Sequence, residues 1–368
     1  MKSFNTNIKL NFYKNFLFIL VIVLSFFGCI MIYSATVCRA YPNYTFLKKQ
    51  IIAIVIGTIL CGFTSYLKPK ILKKITLPLF IFTIFLLIAV FFFPKVKEVH
   101  RWIPLPFLGN FQPAELAKVV SILLIAKFLD SYRSKIINGE KKFWILFLMI
   151  FTLCVLIAIQ PDLGFPLIIF CTFFIILFVY SVKLKHLLKA FMLILIFFTL
   201  AFFSKPYRVK RILSLNNSQK YQKETAYQLN QSILSLSRGG FYGCGITKGI
   251  FKEFYIPELH TDFIFSLIGE ELGFLGSSLV ILAYVFFAFL GFSLFYKLSH
   301  SENGFYGSIL ALGITLSIIL QAYLSISVVT KLFFPKGIGL PFISYGGSSI
   351  VINFLSIGIL MSISNNKS

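Results

Sequence analysis

Residues 16–33 read FLFILVIVLSFFGCIMIY, eighteen consecutive residues without a charged side chain. A helix needs about 20 mainly apolar residues to cross the hydrocarbon core of a bilayer. The basic residues ahead of the block imitate a signal peptide, but the block is longer than a usual signal-peptide core and more such blocks follow. We therefore predict that residues 16–33 form the first of several membrane-spanning helices.

Nine further apolar blocks of similar length follow along the chain. Of the 368 residues, 58% are hydrophobic and 13% are charged, whereas soluble domains are about one quarter charged. The predicted fold class is an all-α polytopic membrane protein with about ten transmembrane helices, organised as a single membrane domain over residues 1–368. The predicted spans are residues 16–33, 51–66, 75–93, 114–129, 143–159, 164–182, 187–203, 272–296, 305–329 and 342–363.

Lysine and arginine are distributed unevenly around these blocks. With the N-terminus inside, sixteen of them lie in segments predicted to face the cytoplasm and eight lie in the short outer loops. Because basic residues favour the cytoplasmic side, we predict that both termini are cytoplasmic. The net charge of +23 is then explained by topology and by anionic lipid headgroups, and no nucleic-acid partner is predicted.

Two loops are predicted on the outer face, residues 94–113 and residues 204–261. The second lies between helices 7 and 8 and carries nine Lys and Arg against three Glu. A loop of that length without regular structure is uncommon and is usually functional. A cationic loop on the outer face suits an anionic amphiphile taken from the outer leaflet.

Glu115 and Lys118 lie inside the fourth predicted span, where a charge is costly and marks a candidate functional site. They are three residues apart behind Pro113, so they share one face of a helix and can pair. An ion pair that only tolerates burial explains them equally well.

Asp162 and Asp262 are carboxylates at predicted span boundaries. Asp162, in the sequence QPDLG, marks a break between the fifth and sixth spans, and capping of the next helix is its alternative role. Asp262 follows the basic loop and precedes the eighth span. Partial desolvation makes it a better base, while nearby cations and a helix N-terminus act in the opposite direction. His260 is more simply explained as a boundary histidine than as a catalyst.

Four glycines of the long loop, Gly239, Gly240, Gly243 and Gly245, lack the ending and the preceding strand of a phosphate-binding P-loop. A turn whose backbone amides meet phosphate stays open as an interpretation. The six cysteines show no spacing typical of disulfides or zinc, so no metal site is predicted.

The strings HTDFIF at residues 260–265 and LPFISYGGSS at residues 340–349 are highly specific, and by them the chain closely resembles the SEDS family. The resemblance covers essentially the whole chain in the right order. YQLNQS at residues 227–232 and GEELG at residues 269–273 are closer to the division members than to the elongation members. The other matching positions are Arg101-Trp102, residues 112–118, residues 160–164, Tyr207-Arg208 and Gly239-Gly240.

The resemblance implies a peptidoglycan glycosyltransferase that polymerises lipid II at the outer face of the cytoplasmic (inner) membrane during septal wall synthesis. Asp262 would be the catalytic general base. The implied partners are lipid II, a class B penicillin-binding protein that crosslinks the strands, and other division membrane proteins. No cofactor is certain, and a divalent cation is a candidate. The substrate-binding or supporting residues would be Trp102, Arg101, Glu115, Lys118, Asp162, Arg208, His260 and Ser344.

Three alternatives stay open. An elongation polymerase of the same family would carry out the same reaction. A lipid II flippase would bind the same amphiphile, but the sequence has no inverted repeat or paired broken helices typical of transporters. A scaffold that only recruits the synthase would keep the fold without the chemistry, and the presence of Asp262, Trp102, Glu115 and Lys118 argues against it.

Overall fold

A computed structural model describes residues 2–37, 44–95, 99–105, 109–203, 225–254, 259–301, 304–333 and 336–365. These residues are mostly helical, with a small antiparallel hairpin of β1 (Ile103–Leu105) and β2 (Gly109–Phe111). The first seven helices are α1 Lys2–Val37, α2 Thr45–Ser65, α3 Pro69–Ala89, α4 Pro113–Ile137, α5 Lys141–Ile159, α6 Gly164–Val179 and α7 Leu184–Phe203. The remaining described helices are α8 Thr225–Arg238, α9 Phe251–Phe254, α10 Ile264–Ser299, α11 Phe305–Val329 and α12 Gly347–Asn365.

Each of the ten predicted spans falls on a helix. Among the described residues, eight helices are long and apolar enough to cross a membrane. The other two are α6, which is apolar but shorter, and α4, which carries Glu115 and Lys118. The prediction of an all-α polytopic membrane protein is confirmed.

Two predicted boundaries are wrong. The eighth span begins at Ile264 and not at residue 272, because Glu270 and Glu271 interrupt the apolar sequence but are satisfied inside the protein. The last helix begins at Gly347 and not at residue 342, because residues 341–344 form a turn. The long loop 204–261 also contains regular structure, since α8 and α9 lie within it.

Helices α4 and α11 lie at the centre of the bundle, and most of their side chains are buried. The most extensive helix pairs are α2 with α12, α10 with α11, and α3 with α4. A Cβ on Gly358 of α12 would stand 1.8 Å from Thr64 Oγ1 of α2, so a small residue is needed where these two helices cross. The central position of α4 places its charges among protein atoms, away from lipid.

Candidate functional site

Asp262 lies in a turn at residues 259–263, directly before α10, and its side chain is half-buried. The carboxylate faces the backbone of Gly337, in the segment 336–346 that connects α11 to α12. The structure thus brings the two most specific strings of the sequence together at one end of α10.

Ser344 joins these two segments by hydrogen bonds. Its hydroxyl donates to the Thr261 carbonyl at 2.6 Å and accepts from the Leu340 amide at 2.7 Å. The Tyr345 amide donates to the His260 carbonyl at 2.9 Å. Because the backbone on either side of Thr261 is held in this way, the position of Asp262 is tied to the segment 336–346.

Gln50 of α2 fixes the same segment from the other side. Its side-chain amide donates to the Ser344 carbonyl at 3.1 Å, and its side-chain oxygen accepts from the Gly346 amide at 3.2 Å. Gln50 is fully buried, and its role was not predicted from the sequence. A glutamine directly before the apolar block 51–66 was the one signal available in the sequence.

The His260 ring is buried in an aromatic cluster. Its centroid lies 4.4 Å from that of Phe46 and 5.7 Å from that of Tyr345. This packing agrees with the simpler interpretation of His260 as a boundary histidine. The residue supports the turn that carries Asp262.

Lys118 is the centre of a buried polar network. Its ammonium lies 3.0 Å from Glu115 Oε2, 2.5 Å from Gln321 Oε1 and 3.3 Å from Asn353 Oδ1. The predicted pairing of Glu115 with Lys118 is therefore present. The Gln321 side-chain amide donates to the Gly339 carbonyl at 3.2 Å, which connects the network to the segment 336–346.

Arg101 and Asp162 form a second cluster, at the N-terminus of α6. The Arg101 guanidinium lies 3.7 Å from Asp162 Oδ2 and donates to the carbonyls of Gln160 and Pro161. Asp162 Oδ1 accepts from the amide of Gly164, the first residue of α6, at 2.8 Å, although the N-cap position itself is Leu163. Trp102 follows Arg101 and is half-buried, directly before β1.

The segment 336–346 borders both clusters. A Cβ on Gly164 would stand 2.5 Å from Ile338 Cδ1, so the start of α6 packs closely against this segment. Segment 336–346 therefore touches the turn of Asp262, the Lys118 network and the start of α6. Arg208, another predicted supporting residue, lies outside the described residues.

The loop glycines lie against the helix α10, where that helix is broken. Gly273 breaks α10 with φ +67° and ψ −161°, and the loop supplies partners for the freed backbone groups. The amides of Cys244 and Gly245 each donate, at 3.0 Å, to the carbonyls of Glu270 and Glu271 respectively. Those two amides are thus engaged by the protein itself.

Close approach of two backbones explains why glycine occupies positions 239 and 243. A Cβ on Gly239 would stand 1.8 Å from the Gly269 carbonyl oxygen, and one on Gly243 would stand 2.2 Å from the Glu271 carbonyl oxygen. A side chain of any size would separate the loop from α10.

Glu270 and Glu271 belong to the GEELG motif at residues 269–273, and no role was predicted for either of them. Both are fully buried, and each accepts hydrogen bonds from the outer loop. Adjacent acidic residues next to an apolar run were the available signal. In the part of the chain that the structure describes, no three His, Cys, Asp or Glu side chains are placed to hold a metal ion.

Comparison with known proteins identifies the family. The profile of the FtsW, RodA and SpoVE family, described as "Cell cycle protein", matches residues 14–368. A relative from Geobacter sp. (strain M18), named "Probable peptidoglycan glycosyltransferase FtsW", is 35% identical over 96% of this chain and 96% of its own length. A relative of the same name from Coxiella burnetii is 34% identical over 91% of this chain and 92% of its own.

Two solved structures share the fold. One belongs to a study of structural coordination of polymerization and crosslinking by a peptidoglycan synthase complex; it has a TM-score of 0.76 and 23% identity, covering 95% of this chain and 96% of the other. The other is the Rod shape determining protein RodA of Thermus thermophilus, with a TM-score of 0.66 and 23% identity, covering 95% of each chain. The helical membrane architecture is thus shared with both.

Proposed function

This chain belongs to the FtsW, RodA and SpoVE family of cell cycle proteins, and we infer from this membership and its site that it is a peptidoglycan glycosyltransferase. Its substrate is lipid II, which it polymerises into glycan strands at the outer face of the cytoplasmic membrane. The relatives named FtsW support the division role over an elongation role. The observation that carries the proposal is the placement of Asp262, which is half-buried beside the segment 336–346 and follows Thr261, whose carbonyl accepts from the Ser344 hydroxyl of that segment.

Asp262 acts as the general base. Its carboxylate takes the proton of the GlcNAc 4-hydroxyl of incoming lipid II, and the hydroxyl oxygen attacks the anomeric carbon of the growing strand. The bond from that carbon to the diphosphate breaks, and undecaprenyl pyrophosphate leaves with the bonding electrons. Proton transfer by a positioned carboxylate contributes about 10²–10⁴-fold to the rate.

The departing diphosphate needs positive charge, which supplies a further part of the catalysis. Arg208 and the other basic residues of the outer loop would provide it, and a divalent cation bound with the diphosphate would supply the same charge. Arg101 and Asp162 lie at the start of α6, with Trp102 next to Arg101 in the chain, and Glu115 and Lys118 support the segment 336–346 from within the bundle.

The partner is a class B penicillin-binding protein, which makes the peptide crosslinks, together with other membrane proteins of the division machinery. The structural likeness to a subunit of a synthase complex that coordinates polymerization and crosslinking supports this partner. The protein acts at the division septum, with both termini in the cytoplasm. The excess of basic residues in the predicted inner segments supports that orientation.

Purified protein with its transpeptidase partner, given lipid II in the absence of any other polymerase, tests the proposal. The wild type should produce glycan strands that are detected on a gel, whereas a flippase or a scaffold should produce none. Asp262→Asn keeps the size and polarity of the side chain but removes the base, so it should fold, hold the partner and make no strands. His260→Ala should be milder. Polymerisation by Asp262→Asn at the wild-type rate would remove Asp262 from the mechanism.

A further inference from the structure

Lys252 and Glu271 form a buried ion pair that the proposed reaction does not use. Lys252 Nζ lies 2.8 Å from Glu271 Oε1, and the two side chains are 1% and 0% exposed. The Ser34 hydroxyl of α1 donates to the same carboxylate, with Oγ at 2.7 Å from Oε1 and 2.6 Å from Oε2. One carboxylate therefore joins α1, α10 and the outer loop.

Further hydrogen bonds complete the attachment of the outer loop. The Ser34 oxygen accepts from Lys252 Nζ at 3.2 Å and from the Thr247 amide at 3.2 Å. The Gly249 amide donates to Glu271 Oε1 at 3.3 Å. Charged groups without such partners would be very costly in this interior, so the contacts specify one arrangement of the loop.

Glu270 attaches a second part of the loop. Its carboxylate accepts from the Ser235 hydroxyl of α8 at 3.1 Å and from the Ile250 amide at 2.7 Å. The Arg238 guanidinium lies 4.0 Å from it. The two neighbouring glutamates thus hold α8 and residues 247–252 against the same end of α10.

The break at Gly273 separates the first part of α10 from the rest, so the contacts of Glu270 and Glu271 determine how that first part is tilted. Residues 264–272 form a short helical segment, and the non-helical backbone of Gly273 interrupts the helical hydrogen bonds between this segment and the rest of α10. Asp262 precedes one end of this segment, and Glu270 and Glu271 lie at the other. The segment is about 13 Å long, so a change in tilt of about 5° at the glutamates displaces the Asp262 end by about 1 Å.

We propose that Lys252 and Glu271 are positioning residues for Asp262: they fix the tilt of residues 264–272 and so the place of the carboxylate during glycosyl transfer. The inference rests on the proposed function. Stability alone is a weak explanation for the pair, because apolar residues of similar volume often stabilise a protein as well as a buried ion pair does. Placement of a reacting group is different, since an error of about 1 Å can reduce the rate by about 10²-fold.

The double variant Lys252→Met with Glu271→Gln tests the inference without leaving an unpaired charge. It should fold and hold its partner, and its kcat on lipid II should fall by about 10- to 100-fold while KM changes by less than about twofold. The matched control is Lys73→Met with Asp130→Asn, which removes the ion pair between α3 and α4 and should leave kcat unchanged.

A folded double variant with wild-type kcat overturns the inference, and so does an equal loss of kcat in the control. If the double variant does not fold, the kcat of Ser34→Ala tests the inference instead. This change keeps the ion pair but releases it from α1, so kcat should fall with KM unchanged; an unchanged kcat overturns the inference. A wild-type protein that makes no glycan contradicts the proposed function itself, so the two failures are distinguishable.

Discussion

The carboxylate of Asp262 lies against the backbone of Gly337: a Cβ added to Gly337 would stand 2.8 Å from Asp262 Oδ2. Real Cβ atoms essentially never approach another atom so closely, so a side chain at position 337 and the Asp262 carboxylate in its present position exclude each other. Asp262 and Gly337 are 75 residues apart in the chain, and only the fold makes them neighbours. This contact allows the site to be perturbed without changing Asp262.

Gly337→Ala should reduce glycan synthesis by at least about tenfold, because the added methyl group displaces the carboxylate from its position. Gly62→Ala is the matched control, since a Cβ at Gly62 meets no atom within 4 Å. The measurement is the initial rate of lipid II polymerisation with folded yield checked in parallel. Equal rates for the two variants would contradict the placement of Asp262 against Gly337.

Lys118→Met should destabilise the protein by about 3–5 kcal/mol, because it leaves the buried Glu115 carboxylate without its cation. Adding Glu115→Gln should recover most of this loss. The measurement is thermal unfolding in detergent, with Lys73→Met as a control that should cost about 0–1 kcal/mol, since its pair with Asp130 is partly exposed. A double variant less stable than Lys118→Met argues against simple pairing. Normal stability with lost polymerisation would place the pair in the active site.

Cys244 should react slowly with iodoacetamide near neutral pH. Burial raises the pKa of its thiol, and the Glu270 and Glu271 carboxylates raise that pKa further, so the reactive thiolate is scarce below the raised pKa. In a variant with Cys244 as its single cysteine, alkylation at pH 8.5 should be slower in the folded protein than after denaturation, because free cysteine has a pKa of about 8.5. The difference should shrink as pH rises. Equal rates at pH 8.5 would contradict the partial burial of this thiol near the Glu270 and Glu271 carboxylates.

The orientation of the chain can be tested with single cysteines at Ser134 and Ser237. Ser134 lies near the C-terminal end of α4 and Ser237 near that of α8, and both are exposed. On intact spheroplasts a membrane-impermeant maleimide should label position 237 and leave position 134 unlabelled until the membrane is permeabilised. The opposite pattern would reverse the topology and remove the site from the outer face.

The sequence determined the membrane architecture, because hydropathy is a local property. Each apolar block carries its own free energy of transfer into lipid, and the backbone of a spanning segment must satisfy its hydrogen bonds within the helix. The ten predicted spans therefore all fall on helices. The predicted start of the eighth span is displaced because Glu270 and Glu271 interrupt the apolar run, and the partners that make their burial tolerable come from distant parts of the chain.

Only part of the candidate site could be predicted from local sequence patterns. Glu115 and Lys118 were predicted to pair because helical spacing puts them on one face, and the pair is present. Asp262 was singled out by its boundary position and by a specific string, and its catalytic role stays a proposal. The junction of Ser344 with Thr261 depended on packing, because it joins residues 83 positions apart.

The contact of the outer loop with α10 depends on tertiary packing. The loop glycines had an open interpretation as a phosphate-binding turn, and the fold uses them for backbone contact with the broken helix at Gly273. Hydrogen bonds join Ser34 to Lys252 and Glu271, which lie 218 and 237 positions further along the chain. Spacing along the chain carries no information about such contacts, because they form only when three separately folded segments exclude water from the same charged groups and must then satisfy one another.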